Sequence, residues 1–144
     1  MGTARTLGLA GALAVVVALA LVTWWLLRPD TSPAVWRPAP GAVIDEQTTT
    51  IDVVFSRVEC SSGQTGDVVD PDIEMRPDEV VVRFRVSPGT PREATCPGNE
   101  WVPYSVALEG PLGDRRLVDG ECLDRGAGAG TSECRDDQGV RYIP

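Results

Sequence analysis

Residues 80–87 read Val-Val-Val-Arg-Phe-Arg-Val-Ser, and this stretch decides how the chain folds. Val80, Val82, Phe84 and Val86 alternate with Val81, Arg83, Arg85 and Ser87. Successive side chains of a strand point to opposite faces, so a period of two predicts a β-strand with one buried face. A helix would scatter the same four apolar side chains around its circumference.

The period recurs on either side. Val102, Tyr104, Val106 and Leu108 alternate with Pro103, Ser105, Ala107 and Glu109, and Ile51, Val53 and Phe55 repeat the pattern upstream. Val58 falls out of phase, which predicts a bulge near Ser56 and Arg57. Pro103 has no N–H to give to a ladder, which places its strand at a sheet edge. Shorter strands are predicted over 116–118 and 140–143. Turn chemistry separates these runs: Ser87-Pro88-Gly89, Pro97-Gly98-Asn99 and Gly110-Pro111-Leu112-Gly113. Five or six short strands without a helical pattern predict an all-β domain over residues 43–144. A small antiparallel sandwich or open barrel suits that count, an immunoglobulin-like arrangement being one form of it.

A second stretch organises the N-terminal end. Residues 7–27 read LGLAGALAVVVALALVTWWLL, with no ionisable side chain and a single hydroxyl, Thr23. A helix needs about 20 mostly apolar residues to cross a bilayer. The run exceeds the 7–15 apolar residues of a cleaved signal peptide, so an uncleaved signal anchor is expected. Its partner is then the lipid bilayer, contacted through residues 7–27. Trp24 and Trp25, with Trp36 nearby, read as an aromatic belt at the headgroups. Residues 1–6 become a cytoplasmic N-terminus. Residues 28–42 hold four prolines between 29 and 40 and read as an extended spacer. The expected location is the cell membrane, single-pass, with the C-terminal domain extracytoplasmic.

Charge and composition narrow the function. The chain carries 13 basic and 21 acidic residues, a formal net charge of −8, and has no histidine. Every basic residue is arginine. Phosphate binding needs clustered cations, so nucleic acid is not an expected partner. Without histidine the usual base near neutral pH and the commonest metal ligand are missing. Serine triads lack their histidine and Ser–Lys dyads their lysine, so no catalytic residue is assigned and no enzymatic activity is expected.

Cys60, Cys96, Cys122 and Cys134 all lie beyond the apolar run. An even count suits a disulfide framework in an oxidising compartment, and four cysteines allow three pairings. Cys60–Cys96 and Cys122–Cys134 are preferred. The first pair brackets the 80–86 strand, and the second closes the glycine-rich loop over residues 126–133. Each bridge adds roughly 3–4 kcal/mol through loop-closure entropy.

Oxygen-bearing side chains cluster at Asp67, Asp70, Asp72 and Glu74, followed by Asp78 and Glu79. These are candidate Ca²⁺ ligands, although the EF-hand register is absent and a solvated acidic loop accounts for them. No cofactor is expected. Two carboxylates in a sugar-binding cleft would make a wall-polymer hydrolase, a further alternative.

The block Cys96-Pro97-Gly98-Asn99, followed by residues 106–120 (VALEGPLGDRRLVDG), resembles a group of small actinobacterial envelope proteins. These pair an N-terminal anchor or signal with a β-rich outer domain. The resemblance implies location and fold but no activity. The 122–134 insertion departs from that group's simpler ending. Within the block Leu108, Leu112 and Leu117 are expected to pack, Asp114 to cap a turn, and Arg115 or Arg116 to pair with a carboxylate. The expected role is a membrane-anchored binding or accessory module of the cell envelope, acting on an envelope protein or ligand. A Ca²⁺-dependent module is the alternative.

Overall fold

The computed structural model describes residues 30–88, 95–123, 126–135 and 137–144, with six helical positions between 14 and 23. Residues 1–30 and 31–144 are separate units. Apart from those six positions, the expected membrane span lies outside the described residues. Among the described residues no helix is long and apolar enough to cross a membrane.

In the second unit, seven strands among the described residues form one mixed sheet. They are β1 (Ser32–Pro38), β2 (Thr50–Arg57), β3 (Val68–Met75), β4 (Glu79–Val86), β5 (Val102–Ala107), β6 (Arg116–Asp119) and β7 (Val140–Tyr142). β4 is the hub, and it contains the alternating stretch. Along one edge it pairs with β3, from Val68↔Val86 to Met75↔Val80. Its other edge is shared end to end by two strands. β1 takes the C-terminal half (Ser32↔Val86, Ala34↔Phe84) and β6 the N-terminal half (Glu79↔Arg116, Val82↔Asp119). Beyond the fork, β1 leads to β2 and β5, and β6 leads to β7.

The all-β expectation holds, but the sheet is not purely antiparallel, because β4 and β6 run parallel. It is also curled. Phe84 on β4 and Tyr104 on β5 meet edge-to-face at 5.6 Å although two strands, β2 and β1, lie between theirs. Strands three places apart in a flat sheet lie about 14 Å from each other. The free edges of β3 and β5 accordingly line one cleft of about 420 Å³. Inside the curl Trp36, Phe55 and Phe84 are buried with Ile51, Val53, Val80, Val82, Val106, Leu108, Leu112 and Leu117. Phe55 stacks on Phe84 at 5.1 Å.

Four expectations change. Residues 28–42 are not a spacer throughout, because residues 32–38 form β1. Its prolines sit at its second and last positions, leaving the residues between free to pair with β2. Trp36 is a core side chain, 1 % exposed, and not part of a headgroup belt. The acidic stretch is a strand, β3, with its register shift between Val69 and Asp72 around Pro71. No bulge interrupts β2, which pairs continuously with β1 from Ala34↔Arg57 to Pro38↔Val53. Val58 is out of phase because the strand has ended. Two expectations are met: β5, with Pro103, is an outer strand, and Leu108, Leu112 and Leu117 pack in the core.

A cap covers the other face of β4 and β1. Both disulfides adopt the preferred pairing, with Cα–Cα distances of 4.8 Å for Cys60–Cys96 and 5.1 Å for Cys122–Cys134. Cys122 and Cys134 pack on Val35, whose side chain faces away from the main core. Val81 is buried as well, so β4 hides both faces at its centre. Close approach explains the glycines of this cap. A Cβ on Gly126 would collide with the Glu121 carbonyl, and one on Gly128 would lie 2.6 Å from Val35 Cγ1. Gly126→Ala is expected to destabilise the domain by about 1–3 kcal/mol. Thermal unfolding checks this, at about 4 °C per kcal/mol for a domain of this size; an unchanged midpoint would show that the cap relaxes freely.

Candidate binding groove

Where β2 ends, the chain builds a groove of about 320 Å³ between two loops and the cap. Its chemistry starts at Arg57, the last residue of β2, whose side chain is only 2 % exposed. A buried guanidinium must place its donors. Nε donates to Thr65 O at 3.2 Å, Nη2 to Ser87 O, and Nη1 lies 3.9 Å from Glu59 Oε2. These bonds pin the segment around Thr65 and the end of β4 to one point.

Asn99 stitches the opposite loop in place. Its Nδ2 donates to Arg57 O at 3.0 Å and to Glu59 O at 2.7 Å, while Ser56 Oγ donates to Asn99 O at 3.3 Å. The Cys60–Cys96 bridge joins the two loops, and both of its cysteines are exposed. Trp101 closes one side, with the Arg37 guanidinium 4.2 Å from its ring centre in a cation–π contact. Glu59, Thr131 and Glu133 add oxygen atoms to the lining. The volume lies at the lower end of the range for small-ligand sites, and the lining mixes apolar and polar groups as such sites do.

No protein-family model matches the chain, and no curated protein or solved structure matches it either. The reading of the groove therefore stands on its residues.

The acidic residues singled out in the sequence lie elsewhere. Asp70, Asp72 and Glu74 belong to β3 and Asp67 directly precedes it. Asp72 and Glu74 each lie 3.6 Å from Arg83 Nη1 across the β3–β4 ladder. Glu74 also accepts from Arg76 at 2.7 Å, and that hydrogen bond holds its carboxyl below the ordinary value. Asp70 lines the separate cleft between β3 and β5. Among the described residues no three His, Cys, Asp or Glu side chains converge as a metal ion would require. Asp72 and Glu74 pair with arginine across the ladder. Arg116 meets Glu79 at 2.9 Å, the carboxylate pairing expected for that block.

A second polar centre had no sequence signal. Asp119, 0 % exposed, ends β6 at the fork of the sheet. Its Oδ2 accepts the Trp36 N–H at 2.8 Å and Arg141 Nη2 at 3.1 Å, and its Oδ1 accepts the Glu121 N–H at 3.0 Å. The Trp36 indole Nε1 donates to Val82 O at 2.9 Å. At the fork β1 leaves β4, and these side-chain bonds replace ladder bonds that the departing backbone no longer makes. Burial pushes the Asp119 carboxyl up to about 6, against the pull of the Trp36 amide and then of Arg141. Glu121, 2 % exposed, accepts the Ala127 N–H at 3.2 Å and lies 3.3 Å from Arg85, which orders the glycine-rich cap. Asp119 and Glu121 hold the frame on which the groove's cap wall stands.

Proposed function

We propose that this chain is a membrane-anchored, extracytoplasmic binding module of a cell envelope, with the groove at the end of β2 as its ligand seat. The observation that carries the reading is the pair of disulfides, which use all four cysteines and fit an oxidising compartment. The anchor rests on the apolar run of residues 7–27. Val17, Leu19 and Val22 expose apolar side chains on the first unit's helix. Thr23, the single hydroxyl of the apolar run, donates to Leu19 O at 2.7 Å, so it asks nothing of a surrounding lipid.

The test is surface labelling with fractionation. The protein should stay in membranes through alkaline carbonate extraction. On intact cells a membrane-impermeant maleimide should label it only after a reductant is added outside. Release by carbonate, or labelling only after cell lysis, rejects the reading. For the seat, Trp101→Ala is expected to abolish at least about tenfold of the recovery of any envelope component captured from solubilised membranes, an effect of about 1.4 kcal/mol, as for an aromatic anchor in an interface. Equal recovery by both proteins would move the seat elsewhere.

A further inference from the structure

We propose that the Cys60–Cys96 bridge is a thiol-exchange site that admits neutral and cationic thiols along the groove. Exchange requires a thiolate to reach a sulfur, so access decides which bridge opens. Cys60 and Cys96 are both exposed and both line the groove. Cys122 and Cys134 are 6 % and 3 % exposed, packed against Val35 at the floor of a separate cleft of about 450 Å³. One framework therefore holds an exposed bridge and a buried one.

The described residues beside the accessible bridge are fastened by bonds other than the disulfide. The Ser62 N–H donates to Thr95 O at 3.0 Å, the Thr95 N–H to Ser62 Oγ at 3.2 Å, and the Glu100 N–H to Gly63 O at 2.9 Å. With Asn99 fastened to Arg57 and Glu59, these bonds keep the two sulfurs facing each other after the bond breaks. Opening is then local and reversible.

Charge selects the reagent. Glu59 and Glu133 stand in the groove lining, in a chain of net charge −8. Two cations stand against them, Arg57, buried 3.9 Å from Glu59, and the exposed Arg37 over the Trp101 ring, so the negative field at the bridge comes from Glu133 and the chain's net charge. A thiol carrying an extra negative charge approaches against this field, and salt screens the difference.

The chemistry balances with a dithiol reductant. Its thiolate attacks one cysteine sulfur, the S–S bond breaks, and the other cysteine leaves as a thiolate that takes a proton. The reductant's second thiol then resolves the mixed disulfide. The protein gains two electrons and two protons, and the dithiol becomes a cyclic disulfide.

The experiment uses the full chain in detergent micelles, with timed dithiothreitol exposure, alkylation and peptide mass analysis. Cys60 and Cys96 should be alkylated while Cys122 and Cys134 remain paired, with an unchanged far-ultraviolet spectrum and reclosure on reoxidation. Cysteamine should open the bridge about three- to tenfold faster than 2-mercaptoethanesulfonate at low ionic strength, each rate normalised to the same thiol's attack on hydroxyethyl disulfide. The ratio should fall towards one in 1 M salt. Opening of both bridges together, or of Cys122–Cys134 first, overturns the proposal, and so does a rate ratio of one at low salt. Neither result bears on whether the groove holds a ligand, which the capture experiment decides separately.

Discussion

Asp119→Ala is expected to cost about 3–5 kcal/mol, the loss typical of removing one partner from a buried ion pair. The reason lies in what remains. Arg141, with a side chain 6 % exposed, keeps its charge but loses the carboxylate that compensates it, and its Nε already has no hydrogen-bond partner. The Trp36 and Glu121 amides are orphaned at the fork as well. Against a total stability of about 5–15 kcal/mol this is a large fraction. Urea unfolding followed by tryptophan fluorescence measures it, and a loss below about 1 kcal/mol would mean that the fork does not depend on this carboxylate.

The same residue gives the domain a pH response of definite sign. Its carboxyl is raised in the fold from 3.8 to about 6, so the folded state holds the proton more tightly than the unfolded chain does. The stability this contributes is fully present below the unfolded value and is lost as pH rises through about 6. Between pH 5 and pH 7 stability should therefore fall by about 1 kcal/mol. With no histidine in the chain, the usual side chain titrating in that window is absent. Asp119→Asn should flatten the slope. An unchanged slope in that variant would assign the response elsewhere. Asp119 is thus costly to ionise and costlier to remove.

Trp36→Ala is the second large effect, at about 3–5 kcal/mol, from the cavity left by a fully enclosed indole. The ring lies 6.3 Å from Phe84 and is 1 % exposed. Two terms can be separated. Trp36→Phe keeps most of the packing but deletes the donor to Val82 O, leaving a buried carbonyl unpaired at about 1–3 kcal/mol. The ordering wild type, Trp36→Phe, Trp36→Ala should appear in both thermal and urea unfolding. If Trp36→Phe proves as damaging as Trp36→Ala, the hydrogen bond outweighs the packing.

The groove was only partly legible in advance. The cysteine pairs were, since proximity in the chain and the flanking strand favoured one of three connectivities. Arg57 and Asn99 were not. Arginine and asparagine at those positions resemble any surface loop, and their value comes from carbonyls of Thr65 and Ser87 that only the fold delivers. The acidic residues were read as a solvated loop, and their place in β3 was not legible because Asp72 and Glu74 meet Arg83 only when the strand opposite is in position.

Residue order alone determined the alternating strands β2, β4 and β5, the edge position of the proline-bearing strand, the apolar N-terminal run and the cysteine framework. Each of these is written in spacing a few residues long, because the pleat assigns alternate side chains to opposite faces wherever the strand ends up. The tertiary structure decided the rest. It made β1 out of a proline-rich segment by placing its prolines where few ladder bonds are required, and it turned an acidic stretch into β3 beside β4 and its arginines. It also split one edge of β4 between two strands and closed the split with a bond from Trp36 to Asp119, 83 residues away. No local pattern encodes such a bond, since a buried carboxylate becomes tolerable only when distant donors arrive together to meet it.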